Sequence, residues 1–259
     1  MYGIRIRNSN RQILISDSTY NLVFVGKASL AEWHTEYWSH GIINVAHQYG
    51  YPYQFLGQAI FFFTAPNDAP IVPMFYCPEF CGIMSMVRVS GNRWRIDCYS
   101  KTPPEIYIFQ KVSHTTDTGG GKGIAVKNVI SGGIAYCSNF RHMFPKAVES
   151  VYTGPSNIRL VKIGSSYAFQ YSNQQEYATA VNLNGVSKPI IGFHSGNNAA
   201  GWTDYSLLPY QYYFGIAAKV QGNSIITKWC MYWQGNGQIT SNAPETVNAC
   251  VVADARYFD

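Results

Sequence analysis

At 259 residues the chain has enough interior for one large domain or two ordinary ones, so folding requires neither a structural metal nor a disulfide framework. The net charge of +5 comes from scattered Lys and Arg with no basic run, which argues against a nucleic-acid-binding protein; no apolar run is long enough to cross a bilayer. Only 13% of residues are charged while 15% are aromatic, with 20 Tyr and 23 Gly, a balance that suits an all-β protein with many turns and Tyr-rich contact surfaces.

The chain opens on Tyr2-Gly3-Ile4-Arg5-Ile6-Arg7-Asn8, where apolar and polar residues alternate with the period of a half-buried strand. A polar connection leads to Ile13-Leu14-Ile15, so the opening reads as a β-hairpin. The N-terminus lacks the continuous apolar segment of a signal peptide, and a soluble, intracellularly made protein is expected. Asn21 to Val25 reads as a third strand, whereas the Trp- and His-rich stretch from Leu30 to Tyr49 has no clean period. Gln58 to Thr64 is a dense apolar run bounded by turn residues and predicts a buried strand. Pro70, Pro73 and Pro78 predict an irregular or edge segment after it. From Gly82 a regular hairpin is expected, with Ile83–Val89 and Arg93–Tyr99 joined at Ser90-Gly91-Asn92, and Ile106–Phe109 closes the first half.

The stretch from Ser113 to Gly121 has no apolar side chain to bury and reads as a linker. Immediately after it the opening pattern returns as Lys122-Gly123-Ile124-Ala125-Val126-Lys127-Asn128, followed by Ile134-Ala135-Tyr136. A second echo pairs Val89-Ser90-Gly91-Asn92 with Val220-Gln221-Gly222-Asn223, in the same order along the chain. Ile158–Ile163, Tyr167–Tyr171 and Pro189–Phe193 are further strands, and Ser195–Gly201 forms a long small-residue loop. The expected fold is all-β with little helix: two tandem β-sandwich domains from an internal duplication, residues 1–112 and 122–259, joined by the Gly/Thr-rich linker 113–121.

Sites that could carry chemistry are sparse. Thr118 to Gly123 is glycine-rich, but Gly123 follows Lys122 where a phosphate-binding loop needs Ser or Thr, and a strand follows where it needs a helix. Of the six cysteines only Cys77 and Cys81 are close in sequence, with no second pair to complete a zinc site, so buried thiols packing as small apolar groups are the expectation. His34, Glu36 and His40 could meet on one helical face, but nothing completes a ligand set. Glu32, Glu36, Glu79, Asp97 and Asp204 are available carboxylates that sequence cannot pair across a cleft, and no nucleophile elbow is present. Neither catalysis, metal nor cofactor is expected. Trp202, Tyr205, Tyr210, Tyr212 and Tyr213 flank the Gly/Asn loop and form a candidate contact patch for a glycan or a protein partner.

The opening residues Gly3, Ile4, Ile6, Asn8, Ile13, Ile15, Asp17 and Ser18, partly repeated at Gly123, Ile124, Val126, Asn128, Ile134, Tyr136, Ser138 and Asn139, resemble the start of bacteriophage tail-tip and tail-associated structural proteins. Gly91 to Phe109 is comparable to a later strand pair of those proteins. The resemblance implies a virion component of the tail, made in the host bacterial cytoplasm, with other phage tail proteins as partners. It also implies a homo-oligomer, a trimer or higher ring, and no catalytic residues. A receptor- or glycan-binding tail module that contacts the host surface, and a tail-borne polysaccharide hydrolase, are the alternatives.

Overall fold

The computed structural model describes residues 5–7, 13–16, 22–34, 57–111, 125–127, 134–137, 140–152, 158–163, 166–171, 176–194, 203–204, 208–235 and 247–259. These residues form strands and the turns and loops that join them, with one short 3-10 turn at Ala255–Tyr257. The first half supplies β1 (Arg5–Arg7), β2 (Ile13–Ser16), β3 (Leu22–Lys27), β4 (Ser29–His34), β5 (Gly57–Thr64), β6 (Ile71–Tyr76), β7 (Cys81–Ser90), β8 (Arg93–Ser100) and β9 (Glu105–Lys111). The second supplies β10 (Ala125–Lys127), β11 (Ile134–Cys137), β12 (Ala147–Tyr152), β13 (Ile158–Ile163), β14 (Ser166–Tyr171), β15 (Tyr177–Ala180), β16 (Pro189–His194), β17 (Thr203–Asp204), β18 (Leu208–Gln221), β19 (Ser224–Gly235) and β20 (Val247–Asp254).

The all-β expectation holds, and the two opening hairpins are both present with the same register. Arg5, Ile6 and Arg7 face Ser16, Ile15 and Ile13, while Ala125, Val126 and Lys127 face Cys137, Tyr136 and Ile134. Each hairpin has its irregularity after the second pair. The linker at 113–121 lies outside the described residues.

Two large antiparallel sheets carry the rest. One has the order β12-β20-β16-β6-β9-β3; the other runs β15-β19-β18-β7-β8-β5-β4, with β17 added to β18. Both orders place second-half strands on one side and first-half strands on the other, so the halves share both layers. The joins are narrow: a single pair, Phe75 with Ile191, links β6 to β16, and a single pair, Cys81 with Ala218, links β7 to β18. A side chain reinforces the second join. Tyr99 on β8 lies across Gly82, where an added Cβ would stand 2.3 Å from the phenol, and its hydroxyl donates to the Ile216 carbonyl of β18 at 2.7 Å. Only glycine leaves room for that ring to cross its own sheet.

The main core lies between the sheets, where Phe61, Ile96 and Ile225 of one layer pack with Phe75, Ile106, Ile108, Ile191 and Val252 of the other. Period two sends the alternate residues of β9 to the opposite face, so Tyr107 and Phe109 join a second cluster with Met74, Ile190 and Phe258. Burial on both faces explains why β9 reads as a nearly unbroken apolar run. Each large side chain so buried contributes about 2 kcal/mol.

Two local expectations need correction. The segment containing Pro73 is neither irregular nor at the sheet edge: β6 is an interior strand, paired with β9 from Ile71 to Tyr76. Proline is tolerated because, among the described residues, the other side of β6 is paired only at Phe75, leaving the Pro73 position open there. Residues 29–34, left without a clear period by the sequence, form β4 and pair with β5; the remainder of that stretch lies outside the described residues.

Candidate functional site

Of the candidate contact patch, Trp202 and Tyr205 lie outside the described residues. Tyr210, Tyr212 and Tyr213 belong to β18, with Tyr212 opposite Gln234 and Tyr213 opposite Trp233; their side chains lie outside the description. His34 is on β4 with its ring 3.2 Å from the Glu32 carboxylate, while Glu36 and His40 lie outside the described residues. Among the described residues no group of three or more His, Cys, Asp or Glu could hold a metal ion.

Glu32 and Asp97 are in one cross-strand row, each opposite Ile60 of β5. Two strand spacings put their backbones roughly 10 Å apart. Asp97 is buried and occupied, accepting from Ser85 Oγ at 2.7 Å and Arg95 Nε at 2.9 Å. Its charge is therefore committed to neighbours on β7 and β8.

The densest polar constellation among the described residues was not legible from the sequence. Lys27 at the end of β3 and Tyr107 on β9 are register partners, and Glu105 starts β9. Lys188, immediately before β16, and Asp259, beyond the 3-10 turn, reach the same spot from the second half. Lys27 Nζ lies 2.9 Å from Glu105 Oε2 and 2.5 Å from Asp259 Oδ1. Lys188 Nζ lies 2.8 Å from Glu105 Oε1 and 2.9 Å from Asp259 Oδ2. The Tyr107 hydroxyl, in the centre, donates to Asp259 at 2.7 Å and lies 3.0 Å from Glu105, and both ammonium groups sit over its ring.

Two cations against two anions set the protonation of every member. Hydrogen bonding from Lys27 first, then Lys188 and Tyr107, holds the Asp259 carboxyl well below the usual carboxylate range. Burial acts to raise Glu105, but bonds from Lys188, Lys27 and Tyr107 together outweigh it and keep this carboxyl low as well. For both lysines burial is likewise outweighed by the carboxylates and they stay charged above the ordinary lysine range. Burial raises the Tyr107 phenol to about 12. The group is an electrostatic clasp across the two halves. No short spacing announces it, since its members are spread from position 27 to position 259.

Close to the joins, a cleft of about 470 Å³ opens between the β6–β7 corner and the second half. Tyr76, Cys77 and Pro78 form one wall; Leu183, Val186, Pro189 and Val220 form much of the other. Cys81 and Cys98, both fully buried, belong with Cys77 to the core behind the cleft. The sequence offered only the Cys77–Cys81 spacing; Cys98 joins because β8 pairs with β7. No protein-family model matches the chain, and neither does any curated protein or solved structure.

Proposed function

We propose that the chain is a structural component of a bacteriophage tail that works through interfaces with copies of itself and with neighbouring tail proteins. The observation that carries this reading is the β7–β8 hairpin. Met86, Val87 and Val89 are 38%, 52% and 46% exposed, three large apolar side chains within four residues. They stand on a strand whose outer edge is paired with β18 only at Cys81 among the described residues. An open strand edge carrying apolar side chains is a template for an added strand and is unfavourable to leave in water. The likeness of the opening residues to tail-tip proteins, and their return in the second half, support the same reading.

The test is particle localisation combined with one substitution. Virions purified from cells producing the chain should contain it in the tail fraction, and Val87→Lys should reduce its incorporation at least about tenfold while the purified protein keeps its melting temperature, since surface substitutions usually change stability by under about 0.5 kcal/mol. Absence of the chain from particles overturns the reading. Glycan-array binding lost on Trp202→Ala would replace it with receptor binding, and polysaccharide cleavage lost with a single carboxylate would replace it with hydrolysis.

A further inference from the structure

The β6–β7 corner holds a thiol unlike the others in its surroundings. Cys77 is buried but for its place in the cleft wall. The facing residues Leu183, Val186, Pro189, Val220, Gly222 and Asn223 are uncharged, so an apolar molecule entering the cleft meets no ionic competitor there. The Cys77 sulfur lies 3.7 Å from both the carbonyl oxygen of Thr102, which accepts from the thiol, and the Thr102 hydroxyl, which can donate to the thiolate. Cys81, four residues on and in the same core cluster as Cys77, is completely enclosed.

We propose that Cys77 is a thiol–disulfide exchange site for small apolar disulfides, with Cys81 as the thiol that resolves the mixed disulfide. The Cys77 thiolate attacks one sulfur of the incoming disulfide; a new S–S bond forms, the old one breaks, and the first half of the reagent leaves as a thiolate. Cys81 then attacks the Cys77 sulfur, its proton passing to the second departing thiolate. The small disulfide is reduced to two thiols and Cys77–Cys81 is oxidised to one disulfide, with electrons balanced.

The electrostatics follow the same geometry. Hydrogen bonding with Cys81 brings the Cys77 thiol down to about 7; burial opposes this, the Glu79 backbone N–H and Thr102 assist, and the Glu79 carboxylate works against it. Burial pushes Cys81 well up, and Cys230 and Cys250 up to about 12. Near neutral pH Cys77 therefore supplies the attacking thiolate while Cys81 stays protonated until its partner sulfur is activated.

The experiment uses the unsubstituted native protein and a neutral aromatic disulfide, dithiodipyridine, followed by alkylation and peptide mapping. Cys77 should be consumed first, at least about tenfold faster than Cys81, Cys98, Cys230 or Cys250. Two equivalents of aryl thiolate should be released per Cys77 lost, leaving a product lighter by two hydrogens and cross-linked between residues 77 and 81. Cys81→Ser should stop at one equivalent with the aryl group retained on Cys77, and the fast phase should be absent from Cys77→Ser. Fast labelling at Cys137 or any other thiol, reaction only after denaturation, or a mixed disulfide that persists on Cys77 in the unsubstituted protein overturns the proposal. The mapping needs no variant, so misfolding of either substituted protein leaves the test intact.

Discussion

The two hairpins at the centre of the larger sheet share a turn and differ in what surrounds it. Gly91-Asn92 joins β7 to β8 and Gly222-Asn223 joins β18 to β19, each glycine at positive φ, 49° and 57°. Each Asn carbonyl accepts a backbone N–H at 2.9 Å from the residue following the adjacent strand, Ala65 in one half and Val181 in the other. Away from the turns the likeness ends. β7 exposes Met86, Val87 and Val89, while Val220, Gly222 and Asn223 line the cleft that Cys77 enters. The same dipeptide thus makes the same turn twice because a two-residue hairpin needs a left-handed residue, but the use of each hairpin depends on the layers around it.

The largest expected effect lies where the hairpins differ most, at Gly82. Gly82→Ala drives a Cβ into a Tyr99 ring whose hydroxyl is tied to Ile216, and should cost about 3 kcal/mol. The midpoint of urea unfolding would fall, and adding Tyr99→Leu should recover part of the loss by freeing the space. Unchanged stability in Gly82→Ala would remove the crossing phenol from the account of the join.

The intermediate test concerns the feature they share. Gly91→Ala and Gly222→Ala meet no atom within 4 Å, so the penalty is the backbone alone. Each should cost about 1 kcal/mol, and nearly the same amount. Clearly unequal costs from matched melts would show that the surroundings reach into the turn after all.

The smallest effect belongs to the clasp, although it has the most hydrogen bonds. Glu105 and Asp259 are 41% and 36% exposed, so water screens the pairs and Lys188→Met should cost under about 1 kcal/mol, less still in high salt. The two depressed carboxyls contribute stability that is present above the ordinary carboxylate range and lost as pH falls through their folded values. Tyr107, raised from 10 to about 12, and the raised lysines contribute below about pH 10 and lose it as pH climbs further. The stability difference between the native protein and Lys188→Met should therefore be flat near neutrality and shrink at both extremes. A difference that grows in acid would contradict the assignment.

Several elements were legible because short-range physics decides them. The alternation around Ile6, the dense run around Phe61 and the Gly-Asn turns all became the expected strands or turns. Pro73 misled because proline reports only on its own missing donor, and whether an interior strand can spare that donor depends on the neighbour across the sheet. Lys188 and Asp259 carried no signal toward Glu105 because charge pairing between distant residues leaves no period or spacing to read.

By itself, then, the sequence determined many of the strands, the Gly-Asn turns and the return of the opening hairpin, since each rests on side-chain alternation or on backbone conformations available within a few residues. Only the tertiary structure decided that the halves share two sheets, through Phe75 with Ile191 and Cys81 with Ala218. It also brought the clasp and the thiol-lined cleft together across that join. Those depend on which strands end up side by side, a choice made by burying two layers against each other rather than by any local residue.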